Sequence, residues 1–170
     1  AVGYACGLEP ETIKAGLEKV KNITGRIETV KKGQPFNVII DYAHTPEAFR
    51  MILQAARELT LGKIVIVFGC GGDRDQGKRP VMGKIASEKG DFVIITTDNP
   101  RTEDPKKIVR DILSGIKKKN YEVIMDRKKA IQKAISYLHE DDTLLLAGKG
   151  HEDYQIIKDK KFHFSDKETV

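Results

Sequence analysis

The sequence has few cysteines, few aromatic residues and no long apolar run, and each shortage argues against a class of protein. Two cysteines, Cys6 and Cys70, are too few for a disulfide framework, and neither has a partner at a metal-ligand spacing. No apolar run approaches the roughly 20 residues that a membrane-spanning helix needs. No charged and then apolar leader begins the chain. We therefore expect a cytoplasmic protein with no membrane partner.

The charge pattern argues against nucleic-acid binding. The 30 Lys and Arg residues are interleaved with 25 Asp and Glu residues, and only 6% of the residues are aromatic. The one tight basic run, residues 117–119, ends a helical pattern, where cations complement the helix dipole. A solvated helix end explains this run better than a nucleic-acid patch does, and we expect no nucleic-acid partner.

Most of the chain repeats one order: a short apolar run, a turn rich in Gly, Asp or Pro, and an amphipathic stretch. We predict strands over residues 36–41, 64–68, 92–97, 122–125 and 143–147, and helices over 46–59, 80–89, 105–118 and 127–138. Continuous apolar strands that alternate with helices predict an α/β fold with a doubly wound, mostly parallel sheet of about six strands. A closing hairpin, residues 154–157 and 161–164, would supply its antiparallel edge.

The first 32 residues follow another pattern. A helix over residues 9–20 begins near Pro10, and residues 24–30 lead into the first strand without a strand–helix unit of their own. We interpret residues 1–32 as the tail of a preceding domain plus a linker, and residues 33–170 as one domain. Because the chain begins at Ala1, within such a pattern, we expect it to be part of a longer protein.

Loops rich in Gly and charge follow four of the predicted strands, at what should be one edge of the sheet. Asp41 and His44 follow the first strand, although Asp41 and Thr45 could simply cap the next helix. Residues 69–80 contain four glycines, which allow close approach of a ligand, and the positive side chains Arg74, Lys78 and Arg79. This loop is neither a Walker sequence nor a dinucleotide fingerprint, which would need Gly where Arg74 stands.

The other two loops suit a ligand that carries both a carboxylate and an amine. In residues 98–101, Asp-Asn-Pro-Arg, the arginine can grip a carboxylate and Asn99 can both donate and accept. After the fifth strand, Gly148 allows close approach and Glu152 can pair with an ammonium group. Each loop alone could be an ordinary polar turn, but four at one edge predict a binding site.

In order and spacing, these segments resemble the C-terminal domain of the Mur ligases of peptidoglycan synthesis. TGRIE, DYAHTPEA, FGCGGDRDQGKRPVMG, TTDNPRTEDP, AGKGHEDYQ and FSDKE carry the resemblance over nearly the whole chain. It is greatest to the ligases that add meso-2,6-diaminopimelate to UDP-N-acetylmuramoyl-L-alanyl-D-glutamate. It implies an ATP-dependent ligase in which ATP phosphorylates a substrate carboxylate and an amine then displaces phosphate from the acyl phosphate.

The resemblance also implies roles for single residues. Diaminopimelate would be bound by Arg74, Asp98, Asn99, Pro100, Arg101, Gly148 and Glu152, and ATP would be contacted by Arg26, Asp41 and His44. No catalytic or metal-binding residue is expected here, because a central domain of the family holds the P-loop and most contacts to ATP and Mg²⁺. Residues 9–21 would be the last helix of that domain. The expected partners are diaminopimelate, ATP and the UDP-N-acetylmuramoyl-dipeptide, bound by a monomer, and the chain alone should be inactive.

Three alternatives remain open at this point. One is a lysine-adding ligase of the same family, although such relatives often have Asp where this chain has Asn99. Another is a folylpolyglutamate or cyanophycin type of ligase, which the combination of DNPR and GKGHEDYQ disfavours. The last, from a different class, is a stand-alone module that binds an amino acid or a nucleotide.

Overall fold

The computed structural model describes residues 1–20 and 23–170 and has a six-stranded sheet at its centre. The strands are β1 (Glu28–Thr29), β2 (Asn37–Asp41), β3 (Ile64–Phe68), β4 (Phe92–Ile95), β5 (Tyr121–Val123) and β6 (Thr143–Ala147). Their order in the sheet is β1-β2-β6-β3-β4-β5, and every pair is parallel except β1 with β2. The predicted fold, a mostly parallel sheet with an antiparallel edge, is confirmed.

The prediction of which segment forms that edge was wrong. The C-terminal hairpin, β7 (Tyr154–Ile157) and β8 (Lys160–His163), forms a separate two-stranded sheet, and β1 is the antiparallel edge. The reason lies in β6, which is flanked on both sides by β2 and β3. A strand that follows β6 after a short loop therefore finds no free neighbour in the sheet. The hairpin instead docks on the loop after β4, through a bridge between Arg101 and Ile157.

Seven helices occupy the described residues. They are α1 (Val2–Ala5), α2 (Pro10–Glu18), α3 (Pro46–Glu58), α4 (Lys78–Lys89), α5 (Pro105–Leu113), α6 (Arg127–Ile135) and α7 (Asp166–Thr169). Helix α5 ends five residues earlier than predicted, so the basic run at 117–119 lies beyond it. Gly115, just beyond the helix end, packs so close to the carbonyl of Pro80 that a Cβ would not fit there. None of these helices is long and apolar enough to cross a membrane.

Two apolar clusters cover the two faces of the sheet, as a doubly wound fold requires. Strand β3 shows the division: Ile64, Ile66 and Phe68 join the cluster under α3, α4 and α5, whereas Val65 and Val67 join the cluster under α6. This alternation follows from the period of two in a strand. Burial on both faces explains why these strands are continuous apolar runs in the sequence.

Within the described residues, the N-terminal segment pairs with the sheet at β1. Helices α1 and α2 contain no buried residue, whereas β1 pairs with β2 and its Glu28 is buried. The Glu28 carboxylate accepts from Gly25 N and Lys167 Nζ, each at 2.7 Å. Residues 24–30, predicted as part of a linker, therefore include a paired strand. Residue 21, the end of the helix that the resemblance implies, lies outside the described residues.

Candidate functional site

The carboxyl ends of β2, β3, β4 and β6 meet at one edge of the sheet, and the loops that follow them line a cleft of about 310 Å³. It is lined by Tyr42, His44, Thr45, Gly71, Arg74, Asp75, Lys78, Asp98, Asn99, Arg101, Gly148 and Glu152. All four loops that the sequence singled out therefore contribute. A wider depression of about 670 Å³ at the amino ends of β3 and β4 contains none of the predicted residues.

Asn99 is held in one orientation between two loops. Its Oδ1 accepts from Ile156 N at 2.9 Å, and its Nδ2 donates to Glu152 Oε2 at 2.8 Å. A backbone N–H can only donate and a carboxylate can only accept, so the amide cannot be turned round. The loops after β4 and β6 are thereby joined at the cleft.

Lys149 is a member of this site that the sequence did not single out. Its side chain is fully buried, and its ammonium lies 3.4 Å from Glu152 Oε2 and 3.7 Å from Asp98 Oδ1. It also donates to the carbonyl of Tyr154. The signal was its place between two glycines in GKGHE, since Gly148 and Gly150 have φ of +107° and +53° and turn the chain inward.

Asp98 is a buried carboxylate at the wall of the cleft. Burial raises its pKa, and the charges of Glu152 and Asp166 add to this, while Arg127 and Lys149 act in the opposite direction. Among residues 1–20 and 23–170, no hydrogen bond is donated to its side chain, although Lys149 lies within ion-pair distance. Its oxygens can therefore accept from a ligand.

Cationic groups come mainly from the loop after β3. Arg74 is exposed and donates to the carbonyl of its neighbour Asp73 at 3.0 Å, and Lys78 Nζ donates to the carbonyl of His44 at 2.7 Å. Arg101, from the loop after β4, donates through Nη1 to Gly72 O at 2.8 Å. These contacts leave N–H groups of both arginines available to a carboxylate.

The glycine-rich loop is fixed against the loop after β4 and by a buried arginine. Gly72 N donates to Asn99 O at 2.9 Å, and a Cβ at Gly72 would lie 1.9 Å from Pro100 O. Pro100 thus packs behind the cleft and does not line it. Arg79, predicted as free positive charge for a ligand, is instead fully buried and pairs with Glu103 and Asp111 at 2.8 Å each. That prediction is corrected, because a guanidinium removed from water needs acidic partners of its own.

The residues expected near ATP take different positions. Arg26 lies with its guanidinium 4.9 Å from the centre of the Tyr42 ring, and His44 packs edge-on against the same ring at 4.7 Å. Asp41 is buried, and its two oxygens accept from Ala43 N at 2.7 Å and Ile27 N at 2.9 Å. Its carboxylate therefore ties the end of β2 to the segment that precedes β1. The residues described contain no group of three side chains that could hold a metal ion.

A doubly wound α/β domain with a polar cleft at the carboxyl ends of its strands defines a broad class of ligand-binding domains. Within that class, residues 25–150 match the family model described as "Mur ligase, glutamate ligase domain", and the chain belongs to this family. The match begins just before β1 and ends in the loop after β6, so it contains nearly all the cleft.

Similar proteins share most of this chain. It is 51% identical over 166 residues to the UDP-N-acetylmuramoyl-L-alanyl-D-glutamate–2,6-diaminopimelate ligase of Clostridium botulinum, covering 96% of this chain and 34% of that protein. The Aquifex aeolicus ligase of the same name is 51% identical over 173 residues, covering 100% and 36%. The chain thus spans about a third of the length of the curated relatives it matches.

Solved structures agree on the fold. A structure of a ligase with the same name superposes with a TM-score of 0.81 at 35% identity, covering 99% of this chain and 35% of that one. A bifunctional folylpolyglutamate synthase/dihydrofolate synthase from Yersinia pestis gives a TM-score of 0.65 at 23% identity, covering 85% and 32%. The second similarity concerns the fold alone.

Proposed function

We propose that this chain is the amino-acid-binding, C-terminal domain of an ATP-dependent ligase that adds meso-2,6-diaminopimelate to UDP-N-acetylmuramoyl-L-alanyl-D-glutamate. The observation that carries the proposal is the composition of the cleft. Asp98 and Glu152 lie within 3.7 Å and 3.4 Å of one buried ammonium, and Arg74 and Arg101 line the same 310 Å³ space. Relatives that are about 50% identical over almost the whole chain carry this ligase name, which supports the proposal.

The chemistry of the cleft suits one end of diaminopimelate. Each end of that molecule has a carboxylate and an ammonium on one carbon. Arg74 and Arg101 can donate to the carboxylate, and Glu152 and Asp98 can accept from the ammonium. Gly148, whose φ of +107° suits glycine, allows the ligand close to the backbone. The end proposed to bind in this cleft is the one away from the reacting amine. Lysine has an ammonium but no carboxylate at that end, so it would leave Arg74 and Arg101 unpaired.

The reaction proposed for the complete enzyme forms an acyl phosphate. ATP phosphorylates the terminal carboxylate of the UDP-N-acetylmuramoyl-dipeptide, and the amine of diaminopimelate attacks the acyl carbon and displaces phosphate. The contribution of this domain is to hold the amine in position, which catalyses by proximity and orientation. We propose that other parts of the enzyme hold most of the ATP and the Mg²⁺, and that it works as a cytoplasmic monomer.

Three residues are proposed to serve the ATP side. Arg26 and His44 flank the ring of Tyr42 at the rim of the cleft, where they can contact a nucleotide. Asp41 would act indirectly, because its carboxylate holds the backbone N–H groups of Ile27 and Ala43 in place. Residues 1–32 would then be the end of the preceding domain and the linker, and residues 33–170 the domain that closes over the substrates.

The test is product formation by the complete ligase that contains this chain. Incubated with ATP, Mg²⁺, the UDP-dipeptide and meso-diaminopimelate, it should release ADP and phosphate and yield a product heavier by one diaminopimelate residue. Release should require both the dipeptide and the amino acid. Phosphate release without the amino acid, or no product by mass spectrometry, would contradict the proposal. The 170-residue chain alone should show weak or no binding of diaminopimelate or ATP in calorimetry.

A further inference from the structure

We propose that Lys149 is a positioning residue: it holds Asn99 and Glu152 in the geometry that binds the amino acid, and it offsets one of the negative charges of Asp98 and Glu152. The inference rests on the proposed function and adds to it a residue that makes no contact with substrate. Lys149 is fully buried and is absent from the lining of the cleft, whereas Asn99, Asp98 and Glu152 all line it. It therefore acts from behind the surface that the ligand would touch.

The backbone around Lys149 is fixed from both sides. A Cβ at Gly148 would lie 2.9 Å from Asp98 Oδ2, and one at Gly150 would lie 2.7 Å from Tyr42 Cβ. The loop is thus pressed between the loops after β4 and β2, and a long side chain that starts between the two glycines runs inward. Its ammonium ends among three oxygens, those of Asn99 at 3.5 Å, Glu152 at 3.4 Å and the Tyr154 carbonyl.

Lys149 helps decide which way the Asn99 amide faces. Oδ1 of Asn99 accepts from Ile156 N and from Lys149 Nζ, so both donors hold the oxygen inward. The NH₂ group is then presented to Glu152 Oε2. Lys149 contacts the same oxygen of Glu152, and the hydroxyls of Tyr42 and Tyr154 face this carboxylate too. Because each carboxylate oxygen has two lone pairs, Glu152 can still accept from a ligand.

Lys149 also offsets one of the two negative charges of Asp98 and Glu152. With Asp98 and Glu152 ionised, the three side chains sum to one negative charge, and a substrate ammonium brings the sum to zero. Without Lys149, Asp98 and Glu152 would share the site with the buried Arg127–Asp166 pair and the cleft-lining Arg74 and Arg101, and the two like charges would raise carboxylate pKa values. The other groups that face Glu152 are Asp98, Tyr42, Tyr154 and Arg127, and Asp166 faces Asp98.

The test is the Lys149→Met variant of the complete ligase, which replaces the ammonium by a neutral side chain of similar length. We expect the KM for meso-diaminopimelate to rise about tenfold or more while kcat changes less than about threefold, as for lost support of a binding residue. Lys161→Met is the matched control, because Lys161 is exposed and contacts the same Tyr154 ring from outside the cleft. Its KM should stay within about twofold of the wild type.

A pH series separates this role from a general loss of packing. Burial already raises the pKa of Asp98, and loss of the nearby Lys149 charge should raise it further, so Lys149→Met favours its neutral form. The KM defect relative to the wild type should therefore shrink as the pH rises from about 6.5 to about 8.5. A defect that is equal at both pH values, or a KM within about twofold of the wild type, would overturn the inference.

A second pair of variants serves if Lys149→Met alone does not fold, because Glu152→Gln removes one of the two carboxylates that would lose their cation. Glu152→Gln alone and Glu152→Gln with Lys149→Met should have the same diaminopimelate KM within about threefold, because Lys149 supports binding mainly through Glu152, directly and by orienting Asn99 towards it. A further tenfold rise in the double variant would contradict this role. If the wild-type ligase does not use diaminopimelate, the proposed function fails; if it does and Lys149→Met behaves like the wild type, only this inference fails.

Discussion

The side-chain amide of Asn99 donates to the Glu152 carboxylate at 2.8 Å, and this bond joins the loops that follow β4 and β6. With its oxygen committed to Ile156 N and Lys149, Asn99 has at most one N–H left for a ligand. Its main contribution is thus to orient Glu152. A change from Asn to Asp at position 99 should therefore affect substrate binding in two ways: it removes the N–H that could donate to the ligand, and it alters the orientation of Glu152.

Asn99→Asp should lower the free energy of unfolding by about 1–3 kcal/mol at neutral pH. In the wild type the Asn99 amide donates to the Glu152 carboxylate, whereas in the variant two carboxylates would face each other. One carboxyl of the new pair would have a raised folded-state pKa, so the variant loses stability as the pH rises through that value. Urea denaturation at pH 5 and pH 8 measures this, with the larger deficit expected at pH 8.

The reciprocal double variant is the control for this prediction. Asn99→Asp with Glu152→Gln restores one donor and one acceptor with the polarity reversed, and should recover most of the lost stability. If the double variant is no more stable than Asn99→Asp, the bond between positions 99 and 152 does not explain the loss.

Arg101→Ala should raise the diaminopimelate KM by an amount equivalent to about 2–5 kcal/mol, since it removes a charged contact to a carboxylate. Arg74→Ala should raise the KM as well but leave the melting temperature unchanged, because Arg74 is exposed and, among the described residues, its side chain donates to the carbonyl of its neighbour Asp73 alone. Steady-state kinetics measure the KM of the Arg101→Ala and Arg74→Ala variants, and thermal melts measure their stability. Arg110→Ala, an exposed change on α5, should alter neither quantity; an unchanged KM in Arg101→Ala would remove Arg101 from the site.

Gly72→Ala should destabilise the domain by about 1–3 kcal/mol and weaken diaminopimelate binding, because its Cβ would lie 1.9 Å from Pro100 O and push residues 98–101 away. Gly77→Ala in the same loop meets only Asp75 Oδ1 at 3.3 Å and is the matched control. Denaturation midpoints and KM values of both variants give the comparison. Equal behaviour of the two would show that the close approach of Gly72 to Pro100 has no consequence.

Arg79→Met should cost about 3–5 kcal/mol of stability, because it leaves Glu103 and Asp111 without their buried partner. The hydrogen bond from Arg79 holds the pKa of Glu103 below its ordinary value of 4.5. This contribution is complete above pH 4.5 and is lost as the pH falls through the lower folded-state pKa. The stability difference between the wild type and Arg79→Met should therefore narrow on acidification below that pH, and a constant difference would contradict the ion pair's role.

The parallel sheet could be predicted because its strands are unbroken apolar runs. Ile64–Phe68 is buried on both faces, and such a run needs helices on each side. The edge strand could not be predicted, because β1 has only two residues and is defined by its pairing with β2. The hairpin comes last in the sequence and was therefore expected at the edge of the sheet. It cannot join the sheet because β6, the strand before it, is central and already has a neighbour on each side.

Most cleft residues could be predicted because loops after parallel strands share one edge. What could not be predicted is which charged side chains turn inward. Arg79 lies in the first turn of α4, five residues after Arg74, and Lys149 lies three residues before Glu152. Both are nevertheless fully buried and bind protein groups. Their burial depends on acidic partners that lie 24 or more residues away for Arg79 and on two glycines for Lys149.

The measurement that tests the central claim most directly is the ratio of kcat/KM for meso-diaminopimelate to that for L-lysine in the complete ligase. Arg74 and Arg101 would lose their carboxylate partner when lysine binds, and a site built for a polar group rejects analogues that lack it. The account predicts a ratio of at least about a hundred in favour of diaminopimelate. Equal kcat/KM values for the two amino acids would contradict it.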